Sequence, residues 1–138
     1  MNPLEHLEHR LGYSFNDQHL LTRALTHRSQ GAKNYERLEF LGDALLGVVI
    51  AETLYKKFET ANEGQLSRLR SSIVRKETLA RVARALNLGE HLLLGPGELK
   101  SGGFNRDSIL SDVLEAIIGG IYLEVGHDVA AARIADWF

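Results

Sequence analysis

Residues 34–43 read NYERLEFLGD, and their reading decides the fold and the chemistry. The segment opens a stretch whose apolar spacing predicts a helix from about 35 to 58. At about 100° per residue, Glu36, Glu39 and Asp43 fall within an arc of roughly 60°. Leu38, Leu41, Leu45, Val48 and Val49 gather on the opposite side as a core stripe. Gly47 falls beside the acid arc, where bare backbone lets another element approach. Phe40 lies about 40° from Glu36, on the acid side and away from the leucines. Like charges one turn apart cost about 0.2–0.5 kcal/mol on a helix, and only Arg37 is near to compensate. Taken alone, the segment is open to two readings, a solvated acidic face and a cation site.

A second stretch, DSILSDVLEAIIGGIYLEV at 107–125, bears on the choice. Asp112 and Glu115 stand at i,i+3 within about 60° of each other, with Gly119 on the same arc. Leu114, Ile117, Ile118 and Ile121 form an apolar stripe elsewhere on that helix. If the two helices pack with their acid arcs facing, Glu39, Asp43, Asp112 and Glu115 converge. Four converging carboxylates cannot all stay ionised without a counter-charge. An all-oxygen donor set suits a hard divalent cation, Mg²⁺ above all. The six histidines are scattered, which argues against a histidine-rich metal site.

The totals bound the rest. A chain of 138 residues, 44% of them apolar, is long enough for one domain with a real core. The formal charge of −2 makes any basic footprint a local matter. The absence of cysteine excludes disulfides, thiol chemistry and Cys-ligated zinc. MNPLEHLEHR lacks a cationic start followed by an apolar run, so the expectation is a cytoplasmic protein without a signal peptide. No run approaches the ~18 apolar residues that a membrane span needs.

Short β-branched runs and long helical periods predict an all-α fold. A first short helix follows Pro3 and ends at Gly12. A second, DQHLLTRALTH, is capped by Asn16 or Asp17. A further helical stretch at 65–86, after a turn at Asn62-Glu63-Gly64, has a possible break near Arg75-Lys76. Gly95-Pro96-Gly97 reads as a loop and Ser101-Gly102-Gly103 as a second weak point. A helix capped by Asp107 or Ser108 runs to Val125, and a last one runs from His127 to Trp137.

Several stretches in register carry a resemblance. ERLEFLGDA at 36–44 resembles the signature of the ribonuclease III family, whose usual form ends in Asp-Ser. ALTHRS at 24–29, EGQLSRLRSSIV at 63–74, SGGFNRDSILSD at 101–112 and EAIIGG at 115–120 are similar to the same family in order and spacing. The resemblance covers essentially the whole chain and points to the bacterial branch. It implies an all-α endonuclease domain over residues 1–138, a homodimer and a valley that holds double-stranded RNA. It also implies Mg²⁺-dependent hydrolysis, with Mn²⁺ as a substitute, giving 5′-phosphate and 3′-hydroxyl ends in the processing of rRNA and other RNA.

Carried over residue by residue, the resemblance implies that Glu39, Asp43, Asp112 and Glu115 bind metal, with Asp43 and Glu115 closest to the chemistry. Glu36 and Glu63 become second-tier acids of the valley, and Phe40 an aromatic that packs into the partner subunit. Ala44 replaces a small polar residue on a less critical arc. Arg68, Arg70, Arg75 and Lys76, with Asn105 and Arg106 beside the glycine-rich loop, become candidates for RNA contact. Arg81, Arg84 and Lys100 add to the basic character of these regions. His27 and Arg28 read as structural, and Trp137 as core or a terminal cover. Bacterial members usually continue into a double-stranded-RNA-binding domain, so a shortened form of a longer protein is expected.

Three rival readings remain: a catalytically dead RNA-binding relative, a metal-dependent hydrolase of nucleotides, and a plain helical dimerisation module. Retention of all four acids argues against the first. Cleavage of small substrates would favour the second, and metal independence the third.

Overall fold

A computed structural model describes residues 2–138, and among them the fold is all-helical. The helices are α1 (Pro3–Leu11), α2 (Gln18–Ala24), α3 (Glu36–Lys57), α4 (Glu63–Val74), α5 (Lys76–Ala85), α6 (Pro96–Lys100), α7 (Asp107–Val125) and α8 (His127–Trp137). Single turns of 3₁₀ helix lie at Leu88–His91 and Gly103–Asn105. No helix among the described residues is long and apolar enough to cross a membrane.

Local chemistry sets several boundaries. Pro3 occupies the first turn of α1, where its missing N–H is no loss, and Asn2 caps the Glu5 amide at 2.9 Å. Gly12, at φ 74, ends α1 in the left-handed region that favours glycine. Asp17 caps α2. Asn62 and Gln65 form a reciprocal capping box at the start of α4, each bond 2.9 Å.

Other boundaries differ from expectation. The second helix stops at Ala24 instead of continuing to His27, because the next residues bond across the fold. The His27 amide donates to the Leu93 carbonyl at 3.0 Å, and the Tyr35 amide to Thr26 at 2.9 Å. Asn62 caps a helix rather than making a turn, so α4 begins at Glu63. The stretch after it is two helices, parted where Arg75 takes an extended conformation at ψ 153. Pro96 starts a short helix instead of lying in a loop, consistent with proline's fitness for a first turn. Neither expected cap of α7 serves: the helix begins at Asp107 without a side-chain cap, and the Asp107 carboxylate pairs with Arg84 at 2.5 Å.

The core is organised around α7. From Ile109 to Ile121 every residue of this helix is buried except Asp112. Helix α3 lies along it, and α2, α5 and α8 cover its other sides. The face of α3 that packs is Leu38, Gly42, Leu45, Leu46, Val49, Ile50 and Leu54. Val48, expected in the core stripe, is 57% exposed, and Leu41 is only half-buried. The packed face is rotated towards Gly42 because α7 crosses there.

A Cβ at Gly42 would run into the Glu115 carbonyl, and one at Gly119 into the Leu38 carbonyl. The two backbones meet through a pair of glycines. Gly47, expected to provide the close approach, has nothing near its missing Cβ. This contrast gives a stability test. Gly42→Ala should destabilise the chain by about 2–3 kcal/mol through overpacking, although alanine favours helix by about 1 kcal/mol. Gly47→Ala should stabilise it by up to about 1 kcal/mol. Urea unfolding followed by circular dichroism measures both, and equal effects at the two positions would refute the crossing.

Candidate metal centre

The glycine crossing decides which side chains meet. Glu39 and Asp43 flank Gly42 on α3, while Asp112 and Glu115 lie on the adjoining turns of α7. Carboxylate oxygens of Glu39, Asp112 and Glu115 all lie within 4.8 Å of one another. Asp43, the fourth expected ligand, lies outside this group of three, close enough to Glu115 for its carboxylate to act on it. Glu115 is buried, Glu39 and Asp112 are half-buried, and Asp43 is exposed.

Crowding shows in the electrostatics. Burial above all, then the hydrogen bond to Asp43 and the charges of Asp43, Glu39 and Asp112, push Glu115 up to about 9. Burial, then the charge of Asp112 and a hydrogen bond to it, push Glu39 up to about 7. Burial also raises Asp112, while hydrogen bonds from Glu39 and Tyr35 and the charges of His27 and Lys76 pull it the other way. At neutral pH Glu115, and Glu39 in part, hold protons that a bound cation would displace. A compact donor set made only of carboxylate oxygens fits a hard divalent ion.

Beside the acids opens a polar cavity of about 240 Å³. Its walls include Glu36, Glu39 and Asp112 on one side and His27, Arg28 and Arg106 on another. Tyr35 and Glu98 also line it, and sequence reasoning assigned neither to the site. Tyr35 was visible only as the residue before the acidic helix, and Glu98 only as part of a glycine–proline loop. His27 is buried, with its Nδ1 taken up by the amide of Ser29 at 3.1 Å and the Ser29 hydroxyl at 2.7 Å. Arg28, expected to be structural, is exposed and lines the cavity.

The remaining candidates are distributed differently. Glu63 opens α4, outside the carboxylate group and the cavity lining. Phe40 is 80% exposed, the most exposed large apolar side chain among the described residues. Beside it Leu20, Leu38, Leu41 and Leu123 help form a second, more apolar hollow. Arg68, Arg70, Arg75 and Lys76 are exposed on α4, α5 and their junction. Arg75 pairs with Glu77 at 3.0 Å, and Arg106 with Glu98 at 3.2 Å. Asn105 is held by Arg84, whose guanidinium donates to its carbonyl at 2.9 Å. Trp137 donates to the Leu11 carbonyl at 3.1 Å and covers one end of the bundle.

Fold and site together define a class: a helical domain built around an acidic, cation-fitting centre between its two central helices. The model of the Ribonuclease-III-like family matches residues 17–138, and the chain belongs to the ribonuclease III family. It is 59% identical over 136 residues to ribonuclease 3 of Pseudomonas paraeruginosa, covering 99% of this chain and 59% of that protein. Ribonuclease 3 of Hahella chejuensis is 58% identical, with 98% and 60% covered. The chain thus spans about three-fifths of the length of these curated relatives. The nuclease domain of Campylobacter jejuni ribonuclease III, described as having a region involved in dimer formation, superimposes with a TM-score of 0.96. It is 47% identical, and 97% of this chain and 94% of that one are covered.

The acid cluster has a consequence for stability. The raised carboxyls bind protons more tightly folded than unfolded, so their contribution is fully present below about pH 4.5. It is lost as pH rises through about 7 and then about 9. The metal-free chain should therefore lose melting temperature between pH 5 and pH 9. Added Mg²⁺ or Mn²⁺ should restore it, with the larger gain at the alkaline end. Differential scanning calorimetry across that range checks the sign, and a melting temperature that climbs with pH in EDTA would refute it.

Proposed function

We propose that residues 1–138 form the endonuclease domain of a divalent-metal-dependent ribonuclease that hydrolyses double-stranded RNA as a homodimer in the cytoplasm. The observation that carries this reading is the meeting of Glu39, Asp112 and Glu115 across the glycine crossing, with Asp43 beside Glu115, in a chain of the ribonuclease III family. Mg²⁺ is the cation proposed, and Mn²⁺ the substitute.

The four acids would hold the metal, with Asp43 and Glu115 nearest the scissile bond. A divalent cation bound there supplies a water of lowered pKa, a Lewis acid for the phosphoryl oxygen and a fixed line of attack. Glu39 and Glu115 give up their protons as the site fills, so the loaded centre presents a full set of carboxylates. Glu36 stands on the cavity wall beside Glu39, where it orients groups at the mouth. Lys76 lies close enough for its charge to act on Asp112, which suits it to a phosphate entering the cavity. Arg68, Arg70, Arg75, Asn105 and Arg106 extend that contact along the duplex backbone, read by shape and phosphate rather than sequence. Glu63 completes the valley from outside the single-chain cluster.

Of the described histidines, only His27 lines the cavity, and its Nδ1 is occupied by Ser29. The chain therefore offers no paired acid–base couple for attack by a 2′-hydroxyl. Water attack leaving a 5′ phosphate and a 3′ hydroxyl is the chemistry proposed, in rRNA and other RNA processing.

The test is cleavage of a long RNA duplex at low salt, in Mg²⁺ and in EDTA, by wild type and Glu115→Gln. Wild type should release 5′-phosphorylated duplex fragments only with the metal. Loss of one ligand should cost at least about 100-fold. The variant should also be more stable than wild type without metal at pH 8, since glutamine removes the cost of holding a buried carboxyl protonated at a pH where the unfolded chain would ionise it. Metal-independent cutting, or an active Glu115→Gln, would overturn the reading.

The dimer has its own test. A ring as exposed as Phe40, beside an apolar hollow, suits burial by a second copy. Phe40→Glu should shift sedimentation towards the monomer while the helical spectrum is kept. A wild type that sediments as a monomer at micromolar concentration would refute the assignment.

A further inference from the structure

Tyr35 is nearly fully buried, at 4% exposure, and its hydroxyl donates to Asp112 Oδ2 at 3.3 Å. Among the described residues it is the one neutral side chain that reaches any of the four acids with a hydrogen bond. The position is fixed from several directions. Its amide donates to the Thr26 carbonyl at 2.9 Å. Its ring meets the edge of His27 with centroids 5.9 Å apart and planes at 61°. His27 is itself held through its Nδ1 by Ser29, and Ser29 Oγ accepts the Gly95 amide at 2.9 Å. The residue before α3 is thereby mounted on the segment 26–29, itself tied to Gly95, and aimed at an acid of α7.

We infer that Tyr35 is a positioning residue for the cation: its hydroxyl holds one oxygen of Asp112 so that the other faces Glu39 and Glu115. The inference rests on the metal-centre reading of the proposed function. A carboxylate free to rotate loses orientational freedom on binding a cation, whereas one already tethered loses less. A neutral donor does this without adding a positive charge that would compete with the metal, as a lysine or arginine would. Partners of this kind commonly change metal affinity 10–100-fold. Phenylalanine at 35 keeps the ring on His27 and removes only the tether.

The experiment is a titration with Mn²⁺ alone, the free ion counted by electron paramagnetic resonance. It uses the full chain as wild type, Tyr35→Phe, Asp112→Asn and the double variant. Tyr35→Phe should weaken Mn²⁺ about 10-fold. In the Asp112→Asn background the same change should add nothing, because no tethered carboxylate remains. In duplex cleavage the Mg²⁺ concentration for half-maximal rate should rise about as much, while the rate at saturating Mg²⁺ stays near wild type. Wild-type Mn²⁺ affinity in Tyr35→Phe would overturn the inference and leave the metal centre standing. An equal loss in both backgrounds would overturn it too, since it would mark a structural disturbance independent of Asp112. Absence of Mn²⁺ binding by wild type would overturn the metal centre along with it.

Discussion

Contact between the backbones of α3 and α7 at Gly42 and Gly119 is the constraint on which the rest depends. Helices with ordinary side chains at their crossing keep axes about 8–10 Å apart. Here each glycine leaves room for a main-chain carbonyl of the other helix, Glu115 for one and Leu38 for the other. Residues one position away on each helix are drawn together as a result. On α3 that neighbour is Asp43, and on α7 Glu115 itself lies at the contact, so carboxylates become near neighbours. The glycines cost helix propensity, about 1 kcal/mol each, which the burial of Leu38, Leu45 and Val49 against α7 offsets.

The same contact makes the centre an unfavourable feature of the metal-free fold. Glu115 is buried among three other acids and holds its proton well into alkaline conditions. A helix as apolar as α7 can carry such a group because its other residues from Ile109 to Ile121, Asp112 aside, are committed to the core. Stability gained from packing is thus spent holding like charges together, a common arrangement where carboxylates are organised for a ligand.

Much of this was legible in the residues. Helical periodicity gave the two central helices, and the spacing of Glu39, Asp43, Asp112 and Glu115 put each pair on one arc. Pro3, Gly12 and Asn16-Asp17 punctuated the chain close to where helices begin or end. Periodicity did not choose the packed glycine. Gly42 and Gly47 both border the acid arc, and only the partner helix distinguishes them. Leu41 and Val48 were assigned to the core for the same reason, since a pattern fixes a face only to within a residue or two. The short second helix, Tyr35 and Glu98 were illegible because their bonds are non-local. Tyr35 reaches an acid 77 positions away.

The basic side chains show another limit of the sequence, and a physical consequence. The arginines of α4, α5 and the glycine-rich loop read as free positive surface, yet Arg75, Arg84 and Arg106 are each paired with a carboxylate. These pairs are substantially exposed on the arginine side, and such pairs contribute only about 0–1 kcal/mol. An incoming phosphate, bringing more charge and more acceptor oxygens, can displace one at little cost. Arg68, Arg70 and Lys76 are in no ion pair among the described residues and need no displacement. Pairing also keeps a chain of net charge −2 from presenting a uniformly basic face. In the proposed enzyme the weak pairs would orient the arginines at the rim without saturating them. The acids below, crowded and short of counter-charge, have no such internal partner, and this is why a cation rather than another side chain is the fitting complement there.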